Sequence, residues 1–477
     1  MQNSAVKPRT RARSEGAKPE VQPSTRRNRE QRIREILDTA RQVFQEDGYA
    51  GFAIRRVADR MGITHGNLQY YFRTTEDLLR TALPAYLSQV MEDYTNIANR
   101  PGTDAAQRCS TLINRIFQNL NETDLPKFMV EIWAFASHEA YVAELLRDMQ
   151  TRFRGIFAKL LSELHPTLSS DECLVRAAVI AAQMDGMTIF ASHGDYPGRD
   201  YVELVRVAKR AVKMLVNASP QVLKSETPLR RPRILPGSSN APVNVFGAHG
   251  DLQPGLLDLR VQQSALDAFH YRPTAQGKRR EIKINEIVAT AANLLATEGY
   301  ANFTLARVAR ELGILPSALQ NYFPTHDDLL RSTLDAVGRA YLDRYSEIGK
   351  PSSKAALERL SEIAADVFEE VCIPGVQQLW IEMFALAQHS DLTREIVGGG
   401  YAAYRVVCAN LIREIDSSAT ARECLSRATL IAALVDGVTV LRFGAEHQPV
   451  SVDRAFELVM VMTVLIAQGR ITTTDVP

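Results

Sequence analysis

The chain has 477 residues, about three times the roughly 150 residues of an ordinary domain, so it holds more than one folded unit. Its composition, 45% apolar and 23% charged, excludes a largely disordered chain, a collagen-like fibre and a disulfide-stapled miniprotein. A net charge of +1 argues against nucleic-acid binding only until the charges are located.

Residues 1–34 hold ten Lys or Arg (Lys7, Arg9, Arg11, Arg13, Lys18, Arg26, Arg27, Arg29, Arg32, Arg34) against Glu15, Glu20 and Glu30, so this segment is +7 and the remainder −6. A basic arm, disordered over 1–28, on a near-neutral body suits attraction to phosphates. It has no apolar stretch behind it, so it is not a secretory signal. No run approaches the 18 or so uninterrupted apolar residues of a membrane span. The expectation is a cytoplasmic protein with no membrane partner. Cys109, Cys173, Cys372, Cys408 and Cys424 are far apart, which indicates neither a disulfide framework nor a zinc site.

Over 29–80 the spacing predicts short helices. Ile33, Ile36, Leu37, Ala40, Val43 and Phe44 recur at helical period up to Gly48. Ile54, Val57, Ala58 and Met61 form a second run ending at Gly62. A third starts at Thr64, carries Leu68 and closes on Tyr71-Phe72. Thr74 with Asp77 then offers a capping box for a long fourth helix. Two short helices joined through a glycine turn are a helix-turn-helix, whose second helix presents its N-terminal residues to the major groove.

Residues 81–218 read as long helices with aromatic insertions, among them Phe117, Phe128, Trp133, Phe135, Tyr141, Phe153 and Phe157. A bundle of this kind leaves room for a pocket between helices, and Trp133, His138, Met184 and Met187 are its candidates. Asp185-Gly186 sits inside an apolar helical run. Mid-helix glycine costs about 1 kcal/mol against alanine, so a close helix–helix approach at a dimer seam is the expected reason.

Residues 219–277 are rich in proline and glycine and read as a linker, within which Leu256, Leu259 and Leu266 regain helical spacing. A flexible chain of about 60 residues reaches roughly 40–45 Å, enough for its flanks to pair.

Beyond the linker the first copy returns. At an offset of 251 residues, 18 of the 33 positions from 48 to 80 are identical. The offset holds further along: Glu131, His138, Cys173, Arg176, Asp185, Gly186 and Thr188 meet Glu382, His389, Cys424, Arg427, Asp436, Gly437 and Thr439. The copies span about 29–218 and 280–469. The second divides into a helix-turn-helix at 278–331 and long helices at 332–469, with Phe368, Trp380, Phe384, Tyr401 and Tyr404; Trp380 and His389 are its pocket candidates. Residues 171–191 and 201–218 can meet 422–443 and 453–469 within one chain.

Ala58, Gly62, Ile63, Leu68, Tyr70, Tyr71, Phe72 and Leu78 resemble the TetR-type DNA-binding signature, and so do Thr304, Val308, Ala309, Gly313, Ile314, Pro316, Leu319, Tyr322, Phe323 and Leu329. The resemblance is specific over about 50 residues at the front of each copy and architectural behind. It implies an all-α fold, each copy a helix-turn-helix domain followed by a helical ligand and dimerisation domain. It also implies a ligand-responsive repressor acting as a dimer on double-stranded DNA. The expected DNA contacts are Arg56, Thr64, His65, Gly66, Asn67, Gln69, Tyr70, Tyr71, Arg73 and Thr75 in copy one. In copy two they are Thr304, Pro316, Ser317, Gln320, Asn321, Tyr322 and His326.

The chain departs from the family pattern where the threonine opening the second helix is Ala53, and where the recognition-helix cap is Leu315. Such a lost cap costs about 0.5–2 kcal/mol, partly offset by Pro316 at the first helical position. The usual lysine after the phenylalanine is Thr75 in one copy and His326 in the other. Gln and Asn suit adenine edges, whereas Ala and Pro reach only apolar methyls, so the two copies would read unlike half-sites. A small apolar or amphipathic effector is implied. Zinc-protease, P-loop, nucleophile-elbow and dinucleotide motifs are absent, as are catalytic partners for His138-Glu139 and His193-Gly194-Asp195, so no enzyme activity, cofactor or metal is expected. A second reading makes copy two a dimerisation scaffold that does not touch DNA. Pairing within one chain or between two chains is open at this level.

Overall fold

A computed structural model describes residues 23–192, 198–225, 246–248, 257–259, 275–371, 374–441 and 452–471. The arm up to residue 22, His193-Gly194-Asp195, Cys372 and most of the linker lie outside the described residues. The described residues fall in two compact units, those within 1–41 and 53–82 and those within 42–52 and 83–477.

In the first unit, the front of α1 (Pro23–Gly51), α2 (Ile54–Arg60), α3 (His65–Gln69) and the start of α4 (Thr75–Ala98) bury Ile36, Ala40, Val57, Ala58, Leu68, Phe72 and Leu78. These are the apolar positions of the three periodic runs, so the helices close on one small core. The Thr74 hydroxyl accepts from Asp77 N–H (3.0 Å) while the Asp77 carboxylate accepts from Thr74 N–H (3.2 Å), forming the expected capping box.

The second unit holds α5 (Ala105–Glu122), α6 (Leu125–Ala136), α7 (Ala140–Leu164), α8 (Ser170–Ser192), α9 (Gly198–Asn217) and the short α10 (Pro220–Ser225). Copy two follows as α11 (Ala275–Glu298), a 3₁₀ turn at Tyr300–Asn302, α12 (Leu305–Glu311), α13 (Pro316–Gln320), α14 (His326–Gly349), α15 (Ala356–Val371), α16 (Pro374–His389), α17 (Asp391–Ile415), α18 (Ala421–Leu441) and α19 (Val452–Ala467). The linker supplies two three-residue strands, β1 (Phe246–Ala248) and β2 (Leu257–Leu259), paired in parallel and lying against α11 and α14. The helical spacing expected from Leu256 onward is therefore wrong for 257–259, where backbone pairing with β1 overrides a three-leucine pattern too sparse to define a helix.

The two copies meet inside this unit. α8 packs along α18, α9 also touches α18, α19 touches α8, and α6 meets α16. A β-carbon built on Gly186 would fall inside the Ala433 carbonyl, and one on Gly437 inside the Ala182 carbonyl. The glycines thus bring backbone against backbone at the seam, which explains two residues that otherwise weaken their helices. By length and composition α8 could cross a membrane, but most of it is buried against these neighbours.

Gly186→Ala or Gly437→Ala is expected to lower stability by about 1–3 kcal/mol through forced separation of the seam. Gly155→Ala and Gly399→Ala, where an added β-carbon meets nothing within 4 Å, are expected to raise it by about 0.5–1 kcal/mol. Chemical denaturation of the four variants checks both signs.

Candidate DNA-reading helices and sensor cavities

In copy one the Thr64 hydroxyl accepts from Asn67 N–H (3.2 Å) and caps α3, while Leu68 anchors it. This leaves Thr64, His65, Gly66, Asn67, Gln69 and Tyr70 exposed on one short helix, with Tyr70 74% accessible and edge-on to the half-buried Tyr71. Arg56 and Arg73 are exposed and Thr75 is half-buried. Polar donors and acceptors on an anchored helix are what base edges require.

Copy two presents α13 differently. Leu315 offers no cap and is 72% exposed, with Pro316, Ser317, Gln320 and Asn321 exposed beyond it. Tyr322 is half-buried beneath the Arg280 guanidinium (4.8 Å), which donates to the Asn321 carbonyl (3.0 Å). His326 turns back, its Nε2 3.2 Å from the Phe303 carbonyl oxygen and its Nδ1 3.2 Å from Asp327 Oδ1. Thr304 caps α12 through Arg307 N–H (3.1 Å), and the Arg307 guanidinium is gripped by Glu298 and Glu311. Its copy-one counterpart is the exposed Arg56.

The second unit holds a pair of crossed glutamates. Glu131 on α6, 1% exposed, accepts from the Tyr49 N–H (2.9 Å) of its own copy and from Gln388 Nε2 (3.2 Å) and His389 Nε2 (2.8 Å) of the other. Glu382 on α16, equally buried, accepts from the Tyr300 N–H (3.0 Å) of its own copy. It also accepts from His138 Nε2 (2.6 Å) and the Tyr49 hydroxyl (2.9 Å) of the other. Gly48 and Gly299, at φ +70° and +73°, turn the chain here, and a β-carbon on Gly48 would stand 2.8 Å from His389 Nε2. Burial pushes the Glu131 carboxyl up, only partly opposed by His389. For His389, burial disfavours the imidazolium, but Glu131 outweighs it and the net shift is upward.

Two cavities occupy offset-equivalent places. The one in copy two has a volume of about 70 Å³ and is lined by Tyr341, Tyr345, Trp380, Phe384, Tyr401 and Tyr404, with Asp436 at its wall and Trp133 and Ile189 contributed by copy one. Its rings pack edge and face, Tyr341 5.2 Å and Tyr401 6.0 Å from Trp380. The Tyr401 hydroxyl donates to Asp436 Oδ2 (3.0 Å); burial pushes the Asp436 carboxyl up to about 7, and among the described residues no cation offsets it. Gly338 and Gly400 open this space where copy one has Leu87 and Met149. The cavity of copy one, also about 70 Å³, is lined by thioethers, Met91, Met129, Met149 and Met184, with Gln150 and Asp185.

Of the residues expected in pockets, Trp380 lines the copy-two cavity and Met184 the copy-one cavity. Trp133 lines the cavity of the other copy, because α6 meets α16 at the seam. Met187 is fully buried and lies outside both linings. His138 and His389 are not lining residues either; each is held by the glutamate of the opposite copy. Tyr341, Tyr345 and Asp436 were missed as pocket residues. A signal was present, since Asp436 is an acid in an apolar helix, and Tyr341, Trp380 and Tyr401 stand where copy one has Val90, Met129 and Gln150 at the 251-residue offset. No group of three or more potential metal ligands occurs among the described residues.

Buried carboxyls with raised pKa values make folding take up protons. Asp185, pushed up to about 8 by burial, and Asp436 contribute stability that is full below their unfolded value of about 4. It is lost as pH rises through their folded values. Glu131 and His389 act in the same direction. The melting temperature is expected to fall from pH 5 to pH 8.5, and Asp185→Asn with Asp436→Asn to flatten the upper part of that slope.

Comparisons with known proteins agree with this geometry. The model of bacterial regulatory proteins of the tetR family matches residues 36–82 and 287–333. The model of the BetI-type transcriptional repressor C-terminal domain matches 105–217 and 356–465. The HTH-type transcriptional regulator BetI of Escherichia coli O17:K52:H18 (strain UMN026 / ExPEC) is 26% identical over 168 residues, 35% of this chain and 85% of the relative. That of Escherichia coli (strain K12 / DH10B) is 25% identical over the same shares. With both parts matched twice in the same order, the chain belongs to the TetR family of transcriptional regulators and carries its DNA-binding and helical domains in tandem duplicate.

Proposed function

We propose that this regulator is a repressor whose two copies act as a pseudo-dimer within one chain, occupying an operator of two unlike half-sites. An effector held in the copy-two cavity releases it. The single observation that carries the reading is the seam: in a two-chain regulator the equivalent helices come from separate subunits, whereas here α8, α9, α18 and α19 meet within one chain. The exposed polar residues of α3 support base reading by copy one, and the basic arm supplies phosphate attraction. Half-sites about one DNA turn, ~34 Å, apart are expected.

The effector is a compact organic cation. Aromatic faces attract positive charge through their quadrupoles, and a buried carboxylate without a cationic partner gains most from a ligand that brings one. To release DNA it must bind the released arrangement more tightly than the DNA-bound one. A second reading, in which copy two only scaffolds, is favoured by the missing cap at Leu315, the turned-back His326 and the gripped Arg307.

Selection from a random DNA pool with the full chain separates the two. Two unlike half-sites at one-turn spacing are expected; one half-site, or one motif repeated symmetrically, makes copy two a scaffold. No enrichment at moderate salt overturns sequence-specific regulation altogether. For the effector, tetraethylammonium is the probe. Both tryptophans of the chain line this cavity, so binding is expected to quench their emission. Affinity should rise from pH 6 to pH 8 as Asp436 ionises. Asp436→Asn should weaken binding at least tenfold and remove the pH dependence; an unchanged variant refutes the cation site.

A further inference from the structure

The copy-one cavity is the offset partner of the aromatic one, yet its polar chemistry is reversed. Gln150 stands where Tyr401 does, Met129 where Trp380 does, and Phe153 where Tyr404 does. Asp185 matches Asp436, but it is answered from within the protein: Gln150 Nε2 donates to its Oδ2 (2.9 Å), and the buried Arg154 supplies a positive charge. Arg405, the counterpart of Arg154, instead lies over the Phe190 ring (5.8 Å) with its Nε donating to the Tyr401 carbonyl (3.2 Å). Burial still dominates and holds Asp185 up at about 8, above Asp436, so at neutral pH copy one offers a cationic ligand less carboxylate charge than copy two. What it leaves is one acceptor. Gln150 is 2% exposed and lines the cavity, and its Oε1 has no hydrogen-bond partner. A buried amide oxygen left unpaired loses its hydration without return, and a ligand donor restores the bond.

We infer that the copy-one cavity is a second, chemically distinct ligand site, which takes an uncharged apolar molecule carrying one hydrogen-bond donor, such as a primary alcohol or amide, held by Gln150 Oε1 among the methionines. Flexible thioethers adapt to such a body and offer no charge selectivity. The two linings share no residue, so both sites can be filled at once. This site stands whether or not the copy-two cavity takes a cation.

The test uses the full chain and calorimetric titration with 1-hexanol, against dipropyl ether, its isomer without a donor. 1-Hexanol is expected to bind at least tenfold more tightly than the ether, without quenching tryptophan and equally well in saturating tetraethylammonium. Gln150→Leu should bring the alcohol down to the level of the ether. Met129→Trp, which fills the cavity with the residue that copy two carries, should abolish alcohol binding. In both variants the tetraethylammonium titration reports whether the copy-two cavity is intact. Equal affinity for alcohol and ether, displacement of the alcohol by tetraethylammonium, tryptophan quenching by the alcohol, or binding indifferent to Met129→Trp would each overturn the second site. Absence of tetraethylammonium binding alongside normal 1-hexanol binding would overturn the cation reading and leave this one standing.

Discussion

The structure turns on one close approach. Gly186 and Gly437 let α8 and α18 touch backbone to backbone, with each glycine against a carbonyl of the other copy. Because the two helices are so near, α6 reaches α16, and with it Trp133 reaches a cavity that belongs mainly to the other copy. The same nearness lets Glu131 meet His389, and Glu382 meet His138, across the copies. A side chain at either glycine would move every one of these contacts together, since packed interiors absorb little displacement.

The crossed glutamates connect this seam to the ends of α1 and α11. Each buried carboxylate takes one backbone N–H from its own copy, at Tyr49 or Tyr300, and one imidazole from the other. A shift of α6 against α16 therefore loads the point where each long first helix ends. The arrangement is not fully symmetric: the Tyr49 hydroxyl also reaches Glu382, while Tyr300 stacks edge-on toward His326. In a regulator of two identical chains a substitution appears on both sides of the seam at once. Joining the copies removes that constraint: cavity linings and reading helices differ between the copies, and so do the seam helices α9 and α19, which share no residue at the 251-residue offset over 201–217, while the glycines Gly186 and Gly437 are kept.

Much of this was legible in the chain. The helix-turn-helix elements, the Thr74–Asp77 box and the Thr64 cap follow from local rules of spacing and hydrogen bonding, which act within a few residues. The 251-residue offset showed the duplication, and the mid-helix glycines indicated a close contact. The pocket was less legible. Trp133 and Trp380 were recognisable as large aromatics, but which copy each serves depends on how α6 and α16 cross. His138 and His389 looked like pocket residues because histidines in apolar helices invite that reading; their partners lie 244 and 258 residues away in sequence.

The sequence by itself determined the helical class, the tandem repeat, the membership of the family and the positions where the copies differ, because periodicity, capping and identity at a fixed offset are properties of short windows. Tertiary structure decided that the copies meet within one chain, that the histidines serve buried glutamates, and that Asp185 faces Gln150 and Arg154 while Asp436 faces the Tyr401 hydroxyl. Those outcomes depend on which side chains face one another across the α8–α18 and α6–α16 contacts. Offset identity marks Asp185 and Asp436 as equivalents, but only the packing around each sets which groups it meets.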